Sequence, residues 1–290
     1  MNFTSLTSTY TLANGNAIPC VGFGTWQSED GDEAYNAVLS ALRNGYRHID
    51  TAKAYGNEES VGKAINDFLR ESGVKREDLF ITTKLWNDDH GYESTKKAIE
   101  LSLKSLNLTY LDLYLIHWPN PLKFRSCWEQ KNAESWRAME EAYDAGLLKA
   151  IGVSNFCERH IEALEKTAKI APMVNQIKIC PGQAQRELAA YCRNKNILVE
   201  GYSPLGTGGI FSSSEMRELS KKYGRSIAQI CIRWSLQEGC LPLPKSVKEE
   251  RIIENAKVFD FELEQSDCDL IANLTGLEIK QARNPDEAPF

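Results

Sequence analysis

His48-Ile-Asp-Thr-Ala-Lys-Ala-Tyr55-Gly-Asn57 is a short apolar run that ends on a carboxylate and opens into a polar loop carrying a phenol. An amphipathic stretch, Glu58 to Ser72, follows it. Together they read as one strand-loop-helix unit, and the unit recurs on both sides. Upstream, Val21-Gly-Phe-Gly24 is a short strand, and Asp32 to Asn44 forms a helix in which Ala34, Val38, Ala41 and Leu42 repeat at helical spacing until Gly45 ends it. Downstream, the apolar runs are Leu79 to Lys84, Leu111 to Ile116, Ala150 to Val153, Met173 to Ile177, Ile197 to Gly201 and Cys240 to Leu243. The expected helices after them are Tyr92 to Leu106, Glu134 to Ala145, Glu158 to Lys169, Gln185 to Asn194 and, after the last run, Glu250 to Lys257. Two further helices, Ser214 to Tyr223 and Ser226 to Gln237, fall between the last two strands, and one near Glu264 to Leu274 follows the eighth unit.

Eight such units in 290 residues predict a (β/α)8 barrel in a single domain covering residues 1–290. Ahead of the first unit, residues 9–20 read as a hairpin, with Asn14-Gly15 as a type I′ turn. A doubly wound dinucleotide fold is disfavoured because Gly22-Phe-Gly24 begins a glycine fingerprint that Gln27 leaves incomplete. No Pro/Ser-rich linker divides the chain.

Composition sets further bounds. A net charge of −6 argues against a nucleic-acid surface. No apolar run approaches the roughly 18 residues of a membrane span, and Met-Asn-Phe-Thr-Ser-Leu lacks the layout of a signal peptide, so the expected location is cytoplasmic, with no membrane partner. The eight cysteines are scattered without a C-x-x-C pair, and the four histidines show no ligand spacing, so reduced thiols and no metal are expected.

Barrel active sites gather at the carboxyl ends of the strands. Asp50 and Tyr55, Lys84 and His117 finish three successive units and therefore converge on one mouth. There Lys84 as an ammonium would stabilise the phenolate and lower the Tyr55 pKa, while Asp50 would fix Lys84 by a charge-assisted hydrogen bond. His117 would hold a carbonyl oxygen in line for protonation. Such a set protonates an oxygen becoming an alkoxide, contains no nucleophile and needs a hydride donor.

The motifs Gly22-Phe-Gly-Thr-Trp26, Tyr46-Arg-His-Ile-Asp-Thr51, Thr83-Lys-Leu-Trp86, Leu113-Tyr-Leu-Ile-His-Trp-Pro119, Ile151-Gly-Val-Ser-Asn-Phe156, Val174-Asn-Gln176, Tyr202-Ser-Pro-Leu-Gly206 and Pro244-Lys-Ser246 occur in this order. With Tyr55-Gly-Asn-Glu-Glu59, they resemble the aldo-keto reductases over nearly the whole chain, in particular the short-loop microbial and protist members of diketogluconate reductase, glyoxal reductase and prostaglandin F synthase type. The resemblance implies NADPH-dependent reduction of a small-molecule aldehyde or ketone by a monomer, with Tyr55, Asp50, Lys84 and His117 as the catalytic tetrad. By the same resemblance, Ser154, Asn155 and Gln176 would bind the nicotinamide carboxamide and Tyr202 would stack on its ring. Gly24, Thr25, Trp26, Asp50, Ser203 and Leu205 join the implied cofactor contacts. Lys245, Ser246 and Arg251 would read the phosphate that distinguishes NADPH from NADH, and Glu254 and Asn255 the adenine. Trp26, Tyr55, Trp86, His117 and Trp118 would line the substrate pocket.

One departure is visible. Many relatives follow Asn-Gln with an acidic residue and a His-Pro pair, whereas this chain reads Asn175-Gln176-Ile-Lys178-Ile-Cys180-Pro181. A second functional class is a nucleotide-binding barrel acting as a sensor or partner subunit with little turnover. A barrel hydrolase lacks its second carboxylate and metal ligands.

Overall fold

The computed structural model describes residues 3–290. Its centre is an eight-stranded parallel sheet: β3 (Phe23–Gly24), β4 (His48–Asp50), β5 (Phe80–Leu85), β6 (Leu113–Ile116), β7 (Ile151–Ser154), β8 (Val174–Lys178), β9 (Leu198–Tyr202) and β10 (Leu241–Leu243). Each pairs in parallel with its neighbour in chain order. The sheet curls shut where Gly22 N donates to Pro242 O and Gly24 N to Pro244 O, both at 3.0 Å. Gly22 is required at that seam, because a Cβ would lie 2.7 Å from the His48 ring and 2.5 Å from Leu243. Both faces of the sheet are covered, which is why the strands read as continuous apolar runs rather than alternating ones.

The helices α1 (Asp32–Arg43), α2 (Glu58–Ser72), α3 (Tyr92–Leu106), α4 (Trp128–Asp144), α5 (Glu158–Glu165), α6 (Arg186–Asn194), α7 (Ser214–Tyr223), α8 (Ile227–Gln237), α9 (Glu249–Asn255) and α10 (Gln265–Ala272) surround it. Two expected boundaries are corrected. α4 starts six residues before Glu134, where Glu129 to Asn132 are polar and leave no apolar stripe to read; Asn132 holds that turn by donating to Pro119 O at 2.8 Å. α5 stops at Glu165 rather than Lys169, since the buried Glu140 carboxylate accepts Lys169 N and Ile170 N at 2.6 and 2.8 Å and pulls the backbone off the helical path. No helix of the described residues is long and apolar enough to cross a membrane.

The amino-terminal hairpin, β1 (Thr9–Thr11) with β2 (Ala17–Pro19), forms as expected, but without a type I′ turn. Only Gly15 takes a positive φ, 87°, and the loop closes by Gly15 N to Leu12 O and Leu12 N to Asn16 O. Asn14 is occupied elsewhere: its Nδ2 donates to Lys149 O at 2.9 Å, tying the hairpin to the strand entering β7. The hairpin therefore sits at the amino ends of the barrel strands, opposite the mouth. None of the eight cysteines forms a disulfide.

Candidate active site

The site is built where β4, β5 and β6 end. β4 turns its alternate residues His48 and Asp50 to the barrel interior, and β5 does the same with Thr82 and Lys84. Lys84 is completely buried; its Nζ lies 2.8 and 2.9 Å from the two Asp50 oxygens, 2.8 Å from Thr51 O and 3.3 Å from Tyr55 Oη. Tyr55 is set by a short 3₁₀ turn over Lys53–Tyr55 that Gly56 ends with φ 68°. Asn57 locks this turn in place. It accepts from Thr51 Oγ1 and donates to Thr25 O and Ser28 O, all at 3.0 Å. Asp50, Lys84 and Tyr55 thus meet at hydrogen-bonding distances, and the His117 ring lies beside them, its centroid 5.9 Å from that of Tyr55.

The electrostatics differ from expectation in one respect. Burial pulls the Lys84 pKa down, but Asp50 and Tyr55 outweigh it, and the net shift is upward, so Lys84 is a firm ammonium. Burial pushes the Tyr55 pKa up; Lys84 opposes this and Asp50 adds to it, and the phenol ends above its ordinary value rather than below. The expected lowering fails because burial of the phenol outweighs the stabilisation that Lys84 gives a phenolate, and Asp50, 2.8 Å from Lys84, adds a negative charge beside it. Tyr55 is therefore a protonated acid throughout the neutral range. His117 falls well below its ordinary value through burial, then Lys84 and His90, and is a neutral imidazole. Its Nδ1 is buried without a partner, and its ring meets Tyr55 and Trp86 edge-on, with centroids 5.9 and 5.3 Å apart.

A cavity of about 540 Å³ opens above these groups. Tyr55, His117, Asp50 and Gln176 line its depth, and Trp26, Trp86, Trp118 and Phe290 its walls. Ser154, Asn155, Tyr202, Ser203, Leu205, Gly24 and Lys245 also face it. Ser154 does not cap α5: its hydroxyl donates to Gln176 O at 2.8 Å, and Cys157 is the cap residue. Asn155, at φ 61°, donates to His117 O and accepts from Tyr202 Oη at 2.9 Å, so the Tyr202 ring is held by its far end. Gln176 spends both amide protons inward, on Asp50 Oδ2 and Glu200 Oε2 at 2.8 Å each.

The remaining expected residues do not line the cavity, apart from Lys245 at its rim. Thr25 is buried behind the wall, where its amide and hydroxyl both donate to Asp50 O. Lys245 reaches across the cavity rim to Gln27 O at 2.8 Å. Ser246, Arg251, Glu254 and Asn255 are outside the main cavity, along α9 and the turn before it; Ser246 Oγ accepts from Lys248 N, Arg251 is exposed, and Asn255 Oδ1 is buried without a partner.

Several residues in and beneath the cavity carry no local signal in the sequence. Glu200 lies beneath it, a completely buried carboxylate inside β9. Lys178, the departure noted above, lines the cavity and donates to Lys280 O. The tail brings Lys280, Gln281, Arg283 and Phe290 over the mouth. It is latched by Asp286, which accepts from Asn120 Nδ2 at 3.0 Å, His160 Nε2 at 2.9 Å and Arg159 Nε at 3.0 Å. A carboxylate in a polar tail becomes legible only once its three donors are placed.

The aldo/keto reductase family model matches residues 20–275. The chain belongs to the aldo/keto reductase family. Among curated members of the family it is 48% identical to the glyoxal reductase of Bacillus subtilis over 287 residues, covering 99% of each chain. It is 44% identical to the methylglyoxal reductase DkgA of Escherichia coli K12 over 265 residues, covering 91% of this chain and 92% of the other. Among solved structures, an aldo/keto reductase from Brucella melitensis aligns with a TM-score of 0.85 at 44% identity over 93% of this chain and 98% of that one. The Bombyx mori aldo-keto reductase, solved in complex with NADP, aligns with a TM-score of 0.84 at 37% identity over 91% of this chain and 92% of that one.

Proposed function

We propose that this aldo/keto reductase uses NADPH to reduce small aldehydes, α-dicarbonyls such as glyoxal and methylglyoxal foremost, with Tyr55 as the proton donor. The observation that carries the reading is the Asp50–Lys84–Tyr55 set: a protonated phenol backed by a neutralised ammonium at 3.3 Å, at the bottom of a cavity walled by aromatic rings. The two curated relatives named above are called reductases of such dicarbonyls, and the cavity suits a small, flat carbonyl compound.

The residues present fit the cofactor. Gln176 turns no amide proton toward the cavity, so its Oε1 is an acceptor for a carboxamide N–H, while Ser154 and Asn155 border the same place. Tyr202, tethered through Oη, offers a ring face for the nicotinamide. Asn255 Oδ1, buried and unpartnered, is a waiting acceptor for the adenine amino group, with Glu254 beside it. Lys245, Ser246 and Arg251 would supply two cations and a hydroxyl for the phosphate peculiar to NADPH. Bound NADPH supplies the hydride that reduces the carbonyl carbon. The chain's own part is to hold and protonate the oxygen. His117, neutral, orients the carbonyl oxygen by a hydrogen bond, and Tyr55 passes its proton to that oxygen as negative charge develops. A developing alkoxide is more basic than even a phenolate of raised pKa, so the transfer runs downhill. Lys84 stabilises the phenolate that results, and Asp50 holds Lys84 in place.

Steady NADPH oxidation with simple aldehydes and dicarbonyls tests the reading; tight nucleotide binding with no turnover across the panel would favour the sensor alternative. Arg251→Ala tests the phosphate assignment. A lost charge-assisted bond is worth roughly 1.5 to 3 kcal/mol, so KM for NADPH should rise about ten- to hundredfold. KM for NADH should hardly move, and equal effects on both would remove Arg251 from the phosphate site.

A further inference from the structure

Beneath the tetrad, the barrel holds a second carboxylate that carbonyl reduction does not require. Glu200 is completely buried, and its Oε2 accepts from the Gln176 nitrogen that also donates to Asp50. Two carboxylates thus share one amide, while the single cation among them, Lys84, is bonded to both oxygens of Asp50. The other neighbours supply no compensating charge. His48, on β4, lies with Nε2 3.0 Å from Thr82 Oγ1 and 3.8 Å from Glu200 Oε1. Burial and then Lys84 pull its pKa to about 3, so it is neutral. Glu200 pairs in register with Gln176 on one side and Leu241 on the other, and its Oε1 has no hydrogen-bond partner.

Two adjacent anions with one cation would leave a net charge in a dry interior, whereas a protonated Glu200 leaves none. Burial first, and then Asp50, against the Gln176 bond and Lys84, raise the Glu200 pKa to about 8.

We propose that Glu200 is a positioning residue of the nicotinamide site: as a neutral carboxylic acid it holds Gln176 with both N–H groups turned inward, so that Oε1 alone faces the cavity, and it leaves Asp50 and Lys84 charge-balanced behind Tyr55. The inference rests on the NADPH-dependent reading above. It has a consequence for cofactor preference. When Glu200 ionises, the new negative charge favours the positively charged nicotinamide of NADP+ over the neutral one of NADPH, and it opposes an alkoxide forming at Tyr55.

The test compares the parent with Glu200→Gln and Glu200→Leu between roughly pH 6 and pH 10. Dissociation constants for NADP+ and NADPH are read from tryptophan fluorescence, and kcat/KM from aldehyde reduction. The ratio of the two constants cancels the titration of the phosphates that both nucleotides carry. In the parent, NADP+ should gain on NADPH on the order of tenfold across about pH 8, as expected for a buried charge lying one side chain, Gln176, behind a cationic ring. Over the same range kcat/KM should fall. In Glu200→Gln, which keeps an acceptor for Gln176 but cannot ionise, the ratio should be flat and the break in kcat/KM near pH 8 lost. Glu200→Leu should weaken both nucleotides at every pH, because Gln176 then keeps only its bond to Asp50 and one N–H is free to turn. An inflection in Glu200→Gln like the parent's, or a flat parent ratio, overturns the proposal. Glu200→Gln is close to isosteric and decides the question if the leucine variant does not fold. A parent that shows the inflection in binding yet reduces no carbonyl would refute the catalytic reading and leave the role of Glu200 standing.

Discussion

Tyr55→Phe is expected to lower kcat for aldehyde reduction by about two to four orders of magnitude, the range of a positioned general acid, while the dissociation constant for NADPH stays within about twofold. The substitution removes one oxygen and keeps the ring, which packs under Lys84 at 5.0 Å from its centroid and edge-on to His117. No neighbour can replace the lost acid. His117 is a neutral imidazole and can lend a hydrogen bond but not a proton. Lys84 sits behind the phenol, completely buried, with Nζ committed to Asp50 and Thr51 O. Stopped-flow kinetics with an aldehyde, beside NADPH fluorescence, separates the two effects. Turnover within tenfold of the parent would mean the proton comes from elsewhere.

Lys84→Met is expected to destabilise the fold by roughly 3 to 5 kcal/mol and to abolish measurable turnover. The loss comes from the partner left behind. Asp50, nearly inaccessible to water, would keep only Gln176 as a side-chain donor. Because folding raises the Lys84 pKa, its contribution is fully present below the unfolded value of about 10.5 and is lost only as pH rises through the still higher folded value. The full difference should therefore appear in thermal denaturation at neutral pH, as a fall in Tm of about 5 to 8 °C for a chain of this size. Adding Asp50→Asn to Lys84→Met should recover part of the stability, since it removes the uncompensated charge, but none of the activity. A methionine variant as stable as the parent would show that the buried pair contributes nothing net to folding.

The barrel was legible because its strands are covered on both faces, so each reads as a continuous apolar run, and because helical spacing separates one run from the next. Site residues that finish a strand were legible for the same reason: Asp50, Lys84, His117 and Gln176 inherit their positions from the strands beneath them. What stayed hidden depends on contacts between residues far apart in the chain. The early start of α4 rests on Asn132 reaching Pro119 O, and the early stop of α5 on Glu140 reaching Lys169 and Ile170. The direction of the Tyr55 shift turned on a balance of burial against a cation already paired, which residue identity alone does not weigh. Glu200 sits in a run, Ile197 to Gly201, that reads as ordinary core; only the β8–β9 register sets it against Gln176 and reveals a carboxylate under the tetrad. The tail is the extreme case, since Phe290 reaches the cavity wall through a latch whose donors lie 126 to 166 residues earlier in the chain.

Hydride from NADPH is expected to reach a carbonyl carbon while Tyr55 protonates the oxygen. The most direct measurement is mass spectrometry of the alcohol formed from methylglyoxal or a simple aldehyde with NADPH carrying deuterium at the transferable ring position. One deuterium on the carbinol carbon in the parent reaction, and labelled alcohol formed at least about a hundredfold more slowly with Tyr55→Phe, is the predicted result. Unlabelled alcohol from the parent, or labelled alcohol formed as fast by the phenylalanine variant, would contradict it.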